Sequence, residues 1–212
     1  MDLRALNFLM SDLSDTSELL PVVVFAILNL RRPSFQFLRW FFFVSAAVKM
    51  VSLITMHLSF RNHFLYHFLA VWQVVFVFCY IDFLNHKKIN MPVVLLLIAV
   101  NVLNSIFIEP PSVFNSLAWS FNTFFLLCAG LLYYYETYKT IDTSSEINPH
   151  FIIVSGFMIY FSGSLFTYGL SWKILTLNPT GFFANAWIIQ SSANLLKNLI
   201  ISYGLWRAKP LT

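Results

Sequence analysis

Two lysines stand where a charge needs an explanation. Lys197 lies in SSANLLKNLIISYGLW, residues 191–206, and Lys49 in FFFVSAAVKMVSLIT, residues 41–55. A lysine within such a run must be paired, be neutral, line a wet cavity, or hold something covalently. At the centre of a bilayer a charge costs about 2.5–3.5 kcal/mol on the insertion scale. Polar residues gather around both. Gln190, Ser191, Asn194, Asn198 and Ser202 recur around Lys197 at spacings of three and four, which places them on one helix face. Ser45, Ser52 and Thr55 do the same more thinly around Lys49, while Asn101, Asn104, Ser105, Asn122, Thr123 and Gln73 mark further helices. These residues predict a polar interior shared by several helices.

No carboxylate is expected at the depth of either lysine. Asp2, Asp12, Asp15 and Glu18 precede the first apolar run, and Asp82 and Glu136 fall near the inner ends of their helices. Lys49, Asn101, Asn194, Lys197 and Asn198 therefore form the candidate set for binding a small polar or anionic ligand. The competing reading is structural, with amide and hydroxyl neighbours and water holding both lysines. Asp82 and Glu136 read either as switch residues at the cytoplasmic face or as interfacial carboxylates. Lys87 or Lys88 is the expected partner of Asp82, and Lys139 or Lys88 that of Glu136.

Composition fixes the solvent. Of 212 residues 58% are hydrophobic, 18% aromatic and 10% charged, more apolar side chain than a soluble domain of this size can cover. Apolar runs of about 20 residues return along the chain with short connections, which predicts an all-α, polytopic membrane domain occupying residues 1–212. Seven spans are expected, at about 19–30, 35–60, 64–84, 92–108, 113–137, 151–172 and 183–206. The first is short for a bilayer, with Thr16, Ser17 and Glu18 supplying cap chemistry at its start. The N-terminal residues lack a signal-peptide pattern, so this helix is expected in the mature protein.

Positive charge orients the bundle. With the N-terminus outside, the inner side collects seven cationic residues, Arg31, Arg32, Lys87, Lys88, Lys139, Arg207 and Lys209, against Arg4, Arg61 and Lys173 outside. The C-terminus is then cytoplasmic, and the net charge of +4 reflects this bias rather than a nucleic-acid patch. The loops are short. The longest inner one, about Lys139 to Pro149, carries Asp142 and Glu146 and holds no domain.

Cys79 and Cys128 fall inside spans and form no metal or disulfide spacing. His57, His63 and His67 read as scattered interfacial residues rather than as a metal or proton-sensing cluster. Ser155, Gly156, Ser162 and Gly163 repeat at a spacing of seven, a smooth strip for close helix packing.

A lysine in a seventh helix raises the microbial rhodopsins, which carry retinal on it. Their carboxylates are replaced here by Ala193 one turn before Lys197 and by Trp72 and Gln73 in helix three, so no retinal and no other cofactor is expected. The three-plus-one-plus-three solute transporters fit the helix count, but no Pro-Gln dipeptide and no visible repeat supports them. Motifs such as HExxH and GxSxG are absent, which leaves an enzyme without support.

FIIVSGFMIYFSGSLFTYGLS and WIIQSSANLLKNLIISYGLW resemble the last two helices of small bacterial seven-helix membrane proteins that are themselves similar to the membrane sensor part of histidine kinases. The similarity covers mainly residues 115–207. It implies a sensor in the bacterial inner membrane, and because the chain ends at Thr212 its output would pass to a separate histidine kinase or another membrane protein. A small-solute transporter and a structural membrane subunit remain the alternatives.

Overall fold

The computed structural model describes residues 3–30, 32–140, 148–176 and 186–208, and among these the chain is helical, with no strand. The helices are α1 (Leu3–Thr16), α2 (Leu19–Leu28), α3 (Pro33–His57), α4 (His63–His86), α5 (Met91–Phe107), α6 (Ser116–Thr140), α7 (Pro149–Thr176) and α8 (Ala186–Arg207). Seven of them match the expected spans to within a few residues. The eighth, α1, is an addition. Local chemistry explains several boundaries. Proline stands in the first turn of α3 and α5, where its missing N–H costs nothing. Asn29 after α2 and Lys87 after α4 take left-handed conformations, with φ of 45° and 56°, and each returns its N–H to a carbonyl four residues back.

α1 and α2 continue each other through one tightened turn. An uninterrupted helix would have residue 21 donate to Ser17 O, but Pro21 has no N–H and its ring crowds that carbonyl. Ser17 O accepts instead from Leu20 N at 3.0 Å, and Asp15 O from Glu18 N at 3.4 Å, both three-residue bonds. Glu18 makes no side-chain cap. The expected cap at Thr16–Glu18 is thus replaced by a turn within a longer helical stretch, whose carboxylates are free to face the bundle.

The helices form a ring. α8 packs on α7, α7 on α6, α6 on α4 and α4 on α3; α1 and α2 close the circle between α3 and α8, and α5 lies against α4 and α6. The small-residue strip on α7 acts in this packing. A Cβ on Gly163 would meet Ala193 Cβ at 2.8 Å, and one on Gly156 would meet Ile201 Cγ1 at 2.9 Å and the Lys197 carbonyl at 3.2 Å. Among the described residues four helices are long and apolar enough to cross a membrane, Pro33–His57, His63–His86, Ser116–Lys139 and Pro149–Ser171, and Met91–Phe107 is a shorter apolar helix.

Polarity is inverted relative to a water-soluble bundle. Ser14, Asp15, Ser17, Glu18, Gln73, Asn101, Asn122 and Lys197 are buried, whereas Ile106, Phe107 and Leu96 are 64%, 76% and 62% exposed. Such an exterior suits lipid, and the interior must then satisfy its polar groups within the protein or with what it encloses.

Candidate functional site

Both lysines meet carboxylates. Lys197 Nζ lies 2.8 Å from Glu18 Oε1, and Lys49 Nζ 2.7 Å from Asp15 Oδ1. This overturns the expectation that neither lysine has a carboxylate at its depth. The reason is the end of α1 and the turn after it: four polar residues, Ser14, Asp15, Ser17 and Glu18, fall at helical spacing just before Pro21 and are buried in the bundle.

The polar face of α8 is joined to this stretch along its length. Asn194 Nδ2 donates to Ser14 O at 3.2 Å and to Ser14 Oγ at 2.9 Å, and Asn198 Nδ2 donates to Ser17 Oγ at 2.7 Å. The Lys197 ammonium also lies 4.7 Å from the ring centre of Tyr160 and 5.8 Å from those of Phe41 and Phe42. Carboxylate and ring faces together stabilise a charge that is 2% exposed. Lys49 is less enclosed, its side chain 17% exposed, with the Tyr66 ring 5.4 Å away.

These groups border an interior cavity of about 150 Å³. Asn7, Asp15 and Glu18 form one side; Lys49 and Ser45 of α3 and Gln190 and Asn194 of α8 flank them; Gln73 of α4 and Trp119 of α6 line it from across the ring. Tyr66, Phe114, Tyr160, Tyr168 and Trp187 complete an aromatic wall. Two of these tyrosines are tied together, with hydroxyls 3.1 Å apart, and Gln190 Nε2 donates to Tyr168 at 3.3 Å. Asn7 Oδ1, Glu18 Oε2, Gln73 Nε2 and Trp119 Nε1 are buried without a hydrogen-bond partner among the described residues. Each such atom costs about 1–3 kcal/mol unless something satisfies it. A polar cavity of this size holds waters or a small molecule.

The five candidate residues divide. Lys49 and Asn194 line the cavity, while Lys197 and Asn198 stand behind it, engaged by Glu18 and Ser17. Asn101 lies apart from the cavity lining. Its amide exchanges two bonds of 2.9 Å with Asn122, which also donates to Ala70 O at 3.0 Å, linking α5, α6 and α4. Asp82 does not go to the neighbouring lysines: Oδ2 accepts from the Asn90 backbone N–H at 2.7 Å and Oδ1 lies 3.7 Å from His86 Nε2, which holds the α4–α5 connection. Glu136 meets Lys139 at 3.5 Å, both about half exposed. His67, near the start of α4, is buried. Its Nε2 lies 3.0 Å from Val113 O, an atom that can only accept, so this nitrogen carries a proton, and Nδ1 lies 2.7 Å from Ser105 Oγ. Among the described residues no group of three or more His, Cys, Asp or Glu is placed to hold a metal ion. Asp142, Glu146, Arg31, Lys209 and the LNPTG turn lie outside the described residues.

Reading from the sequence missed Asp15, Glu18 and the aromatic wall. The signal for the first two was the inward stripe Ser14, Asp15, Ser17, Glu18 followed by Pro21; the aromatic residues, scattered over α4, α7, α8 and the connection before α6, carry none.

Compared with protein-family models, curated proteins and solved structures, the chain finds no match in any of the three.

Proposed function

We propose that this protein spans the bilayer seven times, N-terminus outside and C-terminus in the cytoplasm, and works as a receptor-like sensor. It binds a small polar ligand in the central cavity and signals to a separate partner. The span count rests on taking α1 and α2 as one kinked crossing, Leu3 to Leu28, roughly 39 Å long at 1.5 Å per residue. Asp15 and Glu18 then sit near its middle, level with Lys49 and Lys197. Orientation is supported by the seven cationic residues on one side against three on the other. A bacterial inner membrane and a histidine kinase partner follow from the resemblance of residues 115–207 to kinase sensor segments.

The observation that carries the function is the cavity whose lining residues Asn7, Glu18, Gln73 and Trp119 each hold a buried polar atom without a partner among the described residues, beside the carboxylates that hold both lysines. A ligand that draws Glu18 toward the cavity competes with Lys197 for that carboxylate and loosens α1 from α8. The equilibrium moves by as much as the ligand's affinities for the two arrangements differ. Because Asp15 and Glu18 neutralise the lysines, a net-neutral polar ligand fits better than an anion.

Trp119 and Trp187 border the cavity and report on its contents. The purified protein in lipid nanodiscs, titrated with a broad panel of small polar compounds, is expected to show a saturable tryptophan-fluorescence change with one chemical class. A folded protein that responds to none of them would overturn the site. A second reading, a small-solute transporter, draws on the helix interruption beside Glu18, a feature found at substrate sites of transporters. Proteoliposomes separate the two, since a sensor binds its ligand without accumulating it.

A further inference from the structure

We infer that the ligand is a small zwitterion, bound with its cationic amine toward Glu18 and its carboxylate toward Trp119 and Gln73. This rests on the proposed cavity site and names its ligand class. The two walls differ in polarity. On the α1–α2 side the unpartnered atoms are Glu18 Oε2 and Asn7 Oδ1, and on the α4–α6 side they are Gln73 Nε2 and Trp119 Nε1. A carboxylate oxygen can only accept and an indole N–H can only donate, so this polarity does not depend on how the amides are turned. Glu18, Gln73 and Trp119 are each more than nine-tenths buried, at 3%, 6% and 4% exposure.

Charge balance points the same way. Asp15, Glu18, Lys49 and Lys197 sum to zero, and in a low-dielectric interior a ligand of net charge would leave that charge uncompensated. A zwitterion adds none. Its amine finds the carboxylate oxygen of Glu18 that Lys197 leaves unused. Its carboxylate finds two donors that have no other use.

The test compares charge patterns on one skeleton, using the full chain in nanodiscs and calorimetric titration. β-Alanine and 4-aminobutyrate are the zwitterions; propionate and butyrate lack the amine, propylamine and butylamine lack the carboxylate, and glycerol is neutral. At least one zwitterion is expected to bind tenfold or more tightly than both of its one-charge analogues. Trp119→Phe, which keeps an aromatic ring and removes the N–H, should weaken that zwitterion about tenfold and leave the matching amine unchanged. Equal or tighter binding of an acid, an amine or glycerol overturns the zwitterion and leaves the cavity site standing. Silence from all seven probes also overturns it, and the cavity itself fails only if the broad fluorescence panel is silent as well. The comparison of ligands on the native chain stands even if Trp119→Phe does not fold.

Discussion

Glu18 and Lys197, 179 positions apart in the chain, meet at 2.8 Å in the interior of the bundle. With side chains 4% and 2% exposed, both are closed off from bulk solvent. Two more bonds flank the pair, from Asn194 to Ser14 and from Asn198 to Ser17, so α1 is attached to α8 by a polar seam rather than by apolar packing alone. The seam therefore depends on directional polar contacts, each of which is costly to leave unmade in the interior.

Breaking one side of the pair should be costly. Glu18→Ala leaves an ammonium buried among aromatic rings, and a lost partner of this kind costs about 3–5 kcal/mol. Glu18→Leu combined with Lys197→Met removes both charges and should recover most of that loss. Denaturant unfolding in detergent micelles measures all three proteins and the Lys197→Met single variant. A double variant no more stable than the worse single one would show that the two residues are not coupled.

The amide pair Asn101–Asn122 gives a second, smaller effect. Asn122→Leu should destabilise by about 1–2 kcal/mol, the range for interhelical polar contacts in membranes. Adding Asn101→Leu should cost less than it does alone, because its partner is already gone. Additive losses would argue against the reciprocal bond.

Glycine substitutions on α7 and α8 should sort by what stands opposite. Gly204→Ala places a Cβ 2.7 Å from Ile153 Cγ1, and Gly163→Ala places one 2.8 Å from Ala193 Cβ, so both should lower the melting temperature. Gly169→Ala meets nothing within 4 Å and should be neutral or slightly stabilising. A Gly169→Ala protein as destabilised as the other two would count against this packing.

The apolar helices were legible because lipid-facing composition is a strong signal: α3 to α7 begin and end within a few residues of where hydropathy and the breakers Pro33, Asn90 and Pro110 put them. The polar stripe of α8 was equally legible from the spacing of Asn194, Lys197 and Asn198. What hydropathy could not find was α1. Asp12, Asp15 and Glu18 lower the apolarity of residues 3–18, so the stretch reads as lying outside the membrane. Two of the charges that hide it, Asp15 and Glu18, are the ones that bind it to Lys49 and Lys197. A buried ion pair is divided between two distant segments, and each half seen alone looks either misplaced or exposed.

Topology can be tested at two connections of the proposed seven-span arrangement. In a Cys79→Ala, Cys128→Ala background, Arg61→Cys between α3 and α4 should react with a membrane-impermeant maleimide in intact cells. Lys88→Cys between α4 and α5 should react only after the cells are opened. Both side chains are exposed, so access depends on sidedness rather than burial. The reverse pattern would invert the orientation, and labelling of both in intact cells would refute the α4 crossing.

Pro21 should control whether Asp15 reaches Lys49. Pro21→Ala restores the N–H that can donate to Ser17 O, and the tightened turn at Ser17–Glu18 can then relax to ordinary α winding. A turn of three residues and one of 3.6 differ in the direction they give the preceding side chains, so relaxation rotates Asp15, on the far side of the turn, away from α3. In the native chain, Lys49→Met strips a largely buried carboxylate of its partner and should cost about 1–3 kcal/mol. In the Pro21→Ala chain that partnership is already lost, and the same substitution should cost less than about 1 kcal/mol or even stabilise, because it removes an unpaired ammonium from the interior. Unfolding midpoints for the four proteins of this cycle decide the matter. An identical cost of Lys49→Met in both backgrounds would mean that α1 keeps its rotation without the proline, and that the seam to α8 sets the position of Asp15.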